Sequence, residues 1–379
     1  MGSKMQNKTE ILYILSHSPD NRYKKRFETL RQASQHVIYW NKTGKEQKPT
    51  LPIGYESVDI KADQTNPLKR IPETLRFSKE VAKRIYKYRP KVLYVGNLDM
   101  LHIAYKYKKT HPEVKVVYEV ADLHRLIVDK QRGFKALVRS VLRKREAKDI
   151  QCIDILVLTS MKYYDVYYSD IIEQEKTLFL PNMPILSAFH NYDANKHPKE
   201  FTIGFFGWIR YLDQLNMLID AAEETNIKLL FAGSDNSGSS FSQRCKNLDF
   251  VEYYGPYDYE KEIAALYERV DCVYSVYNAD LFNVRVALPN KLYESVYCEK
   301  PIIVAKNTYL AEKVLELGAG FAVDHENVHD LVSVIEKIKF RETEYQTIVS
   351  NCKERKSLVN PEGVNEELKR RLQTLLESM

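Results

Sequence analysis

A doubly wound α/β chain of two domains is the fold class this sequence predicts, and three observations predict it. Short apolar runs alternate with longer stretches of helical periodicity throughout both halves. The alternation breaks once, at Pro181–Lys199, a segment with internal prolines, Asn, His and Asp and neither periodicity, as a linker would have. At 379 residues the chain also exceeds the size at which single cores stop growing.

In the first half the strand-like runs are Ile11–Leu15, Val37–Trp40, Val92–Val95, Lys115–Tyr118, Ile155–Leu158 and Leu178–Leu180. In the second half they are Thr202–Phe206, Lys228–Ala232, Phe250–Tyr253, Cys272–Val276, Pro301–Val304 and Gly320–Val323, with helical patterns at Leu215–Glu223, Tyr259–Arg269, Lys291–Tyr297 and Val328–Lys339. Strands separated by helices imply parallel sheets with helices on both faces. The expected organisation is a first domain over residues 1–182, a linker over 183–200, a second domain over 201–361 and an amphipathic C-terminal helix over 362–379, free to return to the first domain.

Hydrophobic residues at 44% and charged ones at 28% mark a folded globular chain rather than a disordered or fibrous one. No apolar run approaches the ~20 residues that cross a bilayer, and the N-terminal residues lack the apolar core of a signal peptide, so a cytoplasmic location is expected. The five cysteines, Cys152, Cys245, Cys272, Cys298 and Cys352, are scattered and never in C-x-x-C spacing, which indicates neither a disulfide framework nor a zinc site.

Charge divides unevenly. Residues 1–200 carry 37 Lys/Arg against 23 Asp/Glu, and residues 201–379 carry 20 against 28. A basic half can meet nucleic acid, an anionic bilayer or a phosphorylated substrate. Its densest stretch, Lys130–Lys148, interleaves Phe134, Leu137, Val138, Val141 and Leu142 among lysines and arginines. That pattern suits a helix lying on an anionic membrane, at its inner face; a core-packed helix with a solvated outer face has the same one. With no RNP-type aromatics, zinc knuckle or arginine-rich tail, no nucleic-acid partner is expected.

The chemistry concentrates in the second half. Leu288–Val304 (LPNKLYESVYCEKPIIV) reads as a helix start at Pro289, one helix, a turn and a buried strand. Free N–H groups at such a start attract anions. Lys291 adds a positive charge, Asn290 lies beside it and Glu294 one turn on. Gly204-Phe205-Phe206-Gly207 ends a strand where ligands of open α/β sheets bind, and Gly207 lets backbone approach a diphosphate. Arg210 is spaced to fork onto phosphate oxygens. An ordinary helix carrying a lysine and a glutamate, a plain turn at Gly207 and a solvated Arg210 fit the same residues.

The Leu288 stretch closely resembles the P-x-K-x-x-E nucleotide-sugar signature of family 4 glycosyltransferases of the GT-B fold. Further segments resemble that family in order: Asp20-Asn21-Arg22, Val92–Met100 with Val116–His124, Leu180-Pro181-Asn182, Ile203–Ala222, Phe231-Ala232-Gly233-Ser234 and Tyr254-Gly255-Pro256. The resemblance spans about residues 10–340 and implies two Rossmann-like domains facing across a cleft, the first binding the acceptor and the second the donor. It assigns Gly207, Arg210, Asn290, Lys291 and Glu294 to the nucleotide sugar, with Glu294 on the ribose hydroxyls. Two departures stand out. Val286 occupies the place of a glutamate that commonly holds the donor sugar, with Asn283 and Arg285 near enough to substitute, and the lysine usual after the phosphate arginine is missing.

In the first half His17, Asp99, Asp122 and His124 follow predicted strands, where cleft residues gather. Each could orient an acceptor hydroxyl, and each could equally be a capping aspartate or a hydrogen-bonded histidine. Asp122 and His124, with Arg210 and Lys291, form the expected catalytic set. The resemblance implies a retaining, metal-independent transfer of a hexose-type sugar from a nucleoside diphosphate to a hydroxyl, in which the departing phosphate takes the acceptor proton and no cofactor takes part. A saccharide or lipid-linked saccharide of a surface polysaccharide is the expected acceptor. The alternatives are a catalytically silent GT-B module acting as partner or chaperone of another transferase, and an epimerase of the same fold.

Overall fold

The computed structural model describes residues 9–43, 51–63, 69–129, 132–235 and 240–377. The chain forms two compact units, Met1–Pro181 with Glu362–Met379, and Asn182–Pro361.

The first unit is built on seven strands, β1 (Ile11–Leu15), β2 (Gln35–Asn41), β3 (Gly54–Asp59), β4 (Val92–Gly96), β5 (Lys115–Val120), β6 (Ile155–Leu158) and β7 (Thr177–Phe179). They pair in the order β3-β2-β1-β4-β5-β6-β7, every pair parallel. β1, β4 and β6 are buried along their whole length, because helices cover both faces of a parallel sheet and the strand must be apolar throughout. That is why these runs are conspicuous in the sequence. β3 is not: Gly-Tyr-Glu-Ser-Val-Asp buries only Val58, since an edge strand needs one neighbour and little apolar surface.

The second unit holds six strands, β8 (Thr202–Phe206), β9 (Lys228–Ala232), β10 (Val251–Gly255), β11 (Cys272–Ser275), β12 (Ile302–Ala305) and β13 (Gly320–Val323). Their order, β10-β9-β8-β11-β12-β13, is again all parallel. The order reverses between β1 and β4 in one unit and between β8 and β11 in the other. Ligands of such sheets bind at the carboxyl ends of those strands.

Two segments are defined by what they pack on. Residues 183–200 are not free chain. Phe189 is buried, edge-on to the rings of Tyr259, Tyr267 and Tyr297, the Tyr192 hydroxyl donates to the Cys298 carbonyl (2.6 Å), and Lys196 pairs with Glu268 (2.8 Å). Isolated anchors of this kind leave no periodic signal. The C-terminal helix, Pro361–Glu377, inserts Leu368 and Leu372 into the first unit's core beside Tyr13, Tyr94 and Val157.

The basic segment forms the helix Phe134–Asp149; Lys130 lies outside the described residues. It does not bury all its apolar side chains. Val138 and Leu142 face inward with Glu146 and Asp149, while Leu137 and Val141 are 61% and 57% exposed. Leu137, Val141, Lys144 and Lys148, at i, i+4, i+7 and i+11, make one outer stripe. Arg139 instead donates to the Ile127 carbonyl (2.7 Å). No described helix is long and apolar enough to cross a membrane.

Candidate active site

At the carboxyl end of β8, Gly207 adopts φ +139°, a conformation that disfavours any side chain. Its N–H donates to the Ala232 carbonyl (2.9 Å), and the Ile209 N–H to the Ser234 carbonyl (3.0 Å). A Cβ on Gly233 would sit 1.5 Å from the Gly207 carbonyl oxygen, so the two strand ends touch only because residue 233 is a glycine. Ile209 is buried, whereas Trp208 and Arg210 are exposed. Arg210 lies over the Tyr211 ring (5.1 Å to its centroid) and forms no ion pair among the described residues. Tyr211, at φ +60°, leads into the helix Leu212–Thr225. The loop thus presents a rigid backbone turn and an outward guanidinium, as anion recognition requires.

After β11 the chain runs to Asn290 and the helix Lys291–Tyr297, where the expected site residues meet one another. Lys291, 6% exposed, places its Nζ 2.6 Å from Glu294 Oε2. Glu294, fully buried, also accepts from the Asn290 side chain (2.6 Å) and the Tyr259 hydroxyl (2.7 Å) on Oε1, and from the Tyr267 hydroxyl (2.8 Å) on Oε2. Burial alone would push the ammonium down and the carboxyl up. The pair overrides it: Glu294 raises Lys291, and Lys291 with the two tyrosines lowers Glu294. A carboxylate with four donors has no lone pair pressed to find another.

Lys291 and Glu294, the residues expected on phosphate and ribose, are bonded to each other. Both side chains point into the unit, and a ribose contact would require Glu294 to exchange one of its donors. The network lies directly beneath the loop, because the Phe206 ring, one residue before Gly207, is 6.0 Å from Lys291 Nζ and 4.8 Å from the Tyr267 ring. Arg210 is left as the outward cation of the expected set.

Val286 is buried at the end of the short helix Phe282–Val286. Arg285 folds back to donate to the carbonyls of Ala279 (3.5 Å) and Asp280 (3.4 Å). Sequence reasoning passed over a group nearby: ligand atoms of Asp280, His325 and Glu326 lie within 4.8 Å of one another. Asp280 and Glu326 are well exposed, as solvated carboxylates around an imidazole would also be.

In the first unit His17, Asp99, Asp122 and His124 all lie beyond the carboxyl ends of β1, β4 and β5. His17 has Nδ1 2.8 Å from the Ser18 carbonyl, and burial lowers its pKa. Burial lowers His124 as well, against the pull of Asp99 and with the push of Arg70, so its imidazole is neutral near pH 7. Asp122 is exposed. Three further groups were not legible in sequence. Glu119 is fully buried and takes Arg26 (3.3 and 3.4 Å) and the Tyr94 hydroxyl, making it a structural anchor at the sheet end. Lys42, 5.0 Å over the Trp40 ring, is pushed down to about 8, first by burial and then by Arg70, against Asp99. Lys42, Arg70, Asp99 and His124 are therefore electrostatic neighbours at the end of this sheet.

Residues 190–355 match the family model described as glycosyl transferases group 1, a stretch that contains the Gly207 loop and the Lys291–Glu294 network. The match covers most of the second unit and less than half of the chain. No curated protein matches it in sequence. Among solved structures it is similar to a sucrose-phosphate synthase from Thermosynechococcus elongatus (TM-score 0.73, 16% identity, 98% of this chain and 100% of that one). It is also similar to HepE of Anabaena, solved with UDP (0.68, 14%, 96% and 100%), and to a UDP-GlcNAc 2-epimerase from Neisseria meningitidis (0.65, 11%, 97% and 100%). Identities this low establish the GT-B fold alone, and the presence of an epimerase among these structures makes the point that chemistry resides in the site.

Proposed function

We propose that this glycosyltransferase moves a hexose-type sugar from a nucleoside diphosphate donor to a hydroxyl acceptor, with retention and without a metal. The observation that carries the reading is the Gly207–Arg210 loop: an outward guanidinium and a glycine turn at the switch point of the second sheet, within the stretch that matches the group 1 family. Negative charge on the diphosphate grows as the glycosidic bond breaks, so a cation fixed beside it stabilises the transition state more than the ground state. Arg210 supplies that cation. Lys291, Glu294 and Asn290 hold up the floor of the loop, and the departing phosphate takes the acceptor proton. The acceptor binds at the carboxyl end of the first sheet, where Asp122 and the neutral His124 can orient a hydroxyl.

The reading extends to a lipid-linked saccharide as acceptor and to work at the inner face of a membrane. The outer stripe of the helix Phe134–Asp149 supports this, since exposed Leu137 and Val141 continue into Lys144, Arg145 and Lys148. Each cation near an anionic surface contributes about 1 kcal/mol. Sedimentation with anionic vesicles is expected at low salt and not at high salt, and is expected to vanish when Lys144, Arg145 and Lys148 are changed to Glu. Equal sedimentation with neutral vesicles contradicts it.

Thermal unfolding against a panel of nucleoside diphosphates tests the core of the proposal. A ligand at 100 times its dissociation constant stabilises by about 2.7 kcal/mol. Stabilisation by at least one member is expected; none by any refutes donor binding and favours the silent module.

A further inference from the structure

The loop after β8 displays two unlike side chains on one face. Ile209 forms an isolated parallel bridge with Asp235 and is buried, so the chain from Trp208 to Arg210 is locally extended and its side chains alternate. Ile209 points inward; Trp208 and Arg210 point outward together. Trp208 is 62% exposed and makes no ring contact or hydrogen bond among the described residues. The backbone on either side is pinned, by the Gly207 N–H on the Ala232 carbonyl and the Ile209 N–H on the Ser234 carbonyl. The largest apolar side chain is thus held in water on a backbone whose ordering cost is already met, the arrangement of a binding contact rather than of packing.

Resting on the donor reading above, in which Arg210 takes the diphosphate, we propose that Trp208 determines specificity for the sugar, its indole stacking on the C–H face of the pyranose bonded to that diphosphate. Alternate residues of an extended chain are about 6.6 Å apart, a spacing that suits a ring joined to a phosphate. A pyranose offers one largely apolar face and keeps its hydroxyls at the rim, so it can lie on an aromatic plane while its polar groups stay hydrogen-bonded. A hexose joined to an anion is the ligand that uses the indole and the guanidinium at once.

Fluorescence reads this directly. The chain has two tryptophans, and Trp40 is buried, stacked on Phe77 (4.9 Å) with its Nε1 donating to the Ile60 carbonyl (2.8 Å). Emission accessible to acrylamide therefore belongs to Trp208. Quenching is to be measured with UDP, UDP-glucose, GDP and GDP-mannose, alongside their dissociation constants. For the nucleotide that binds, the diphosphate alone should leave Trp208 accessible and the nucleotide sugar should shield it. Trp208→Ala should weaken the nucleotide sugar on the order of tenfold while leaving the parent diphosphate unchanged, and Trp208→Phe should retain most of the affinity. Full shielding by the diphosphate alone, or a Trp208→Ala loss equal for both ligands or absent for both, overturns the assignment. Failure of all four to bind the wild-type protein would overturn the donor reading itself, a different and recognisable result.

Discussion

Two of the cations near the carboxyl end of the second unit's sheet do opposite things. Arg210 stands on the loop after β8, exposed, with no carboxylate paired to it among the described residues. Lys291, on the helix after β11, is buried and bound to Glu294 within a ring of tyrosine hydroxyls and the Asn290 amide. A motif lists residue types, but burial and partners divide their labour: a cation already paired inside the protein has little to offer a ligand, and an unpaired one at the surface is of little use to the fold.

The contrast is sharpest in stability. Lys291→Met strands a buried carboxylate, and the loss is expected to be about 3–5 kcal/mol by urea unfolding. Arg210→Ala should change stability by less than about 0.5 kcal/mol. If the two cost the same, the division is wrong. Next in size, Tyr267→Phe removes one donor from an ionised group and should cost about 1.5–3 kcal/mol. The same substitution at a tyrosine outside the network gives the baseline.

The pair also sets a pH window. Glu294 is held below its ordinary 4.5 and Lys291 above its ordinary 10.5. Their contribution is therefore fully present between those values. It is lost as the pH falls from 4.5 through the lowered carboxyl value, and on the alkaline side as the pH rises from 10.5 through the raised ammonium value. Lys291→Met should abolish the alkaline limb and weaken or invert the acid one, because protonation relieves a stranded buried carboxylate, whereas Arg210→Ala should change neither.

How far the sequence reaches follows the same physics. Strands buried on both faces, such as Ile155–Leu158 and Thr202–Phe206, announce themselves as apolar runs, and the helix Lys291–Tyr297 is bounded by Pro289 and Pro301. The edge strand Gly54–Asp59 is silent because it buries almost nothing, and residues 183–200 look like a linker because Phe189 and Tyr192 anchor them singly. At the site, Gly207 and Arg210 are legible because a glycine turn and a cation at a strand end carry their own chemistry. The state of Glu294 is not, because Tyr259 and Tyr267 reach it from 35 and 27 residues away. Lys291 and Glu294 at i, i+3 are equally the spacing of a ligand clamp and of an internal ion pair. In the helix Phe134–Asp149 periodicity finds the apolar residues, but only the fold separates the inward Val138 and Leu142 from the exposed Leu137 and Val141.

The central claim is that Arg210, and not the buried network, meets the diphosphate. Titration calorimetry of the nucleoside diphosphate that stabilises the protein most, against wild type and Arg210→Ala, tests it most directly. A loss of about 1.5–3 kcal/mol, roughly 10- to 150-fold in affinity, with the unfolding midpoint unchanged, is the predicted result; an Arg210→Ala protein that binds as tightly as wild type contradicts it.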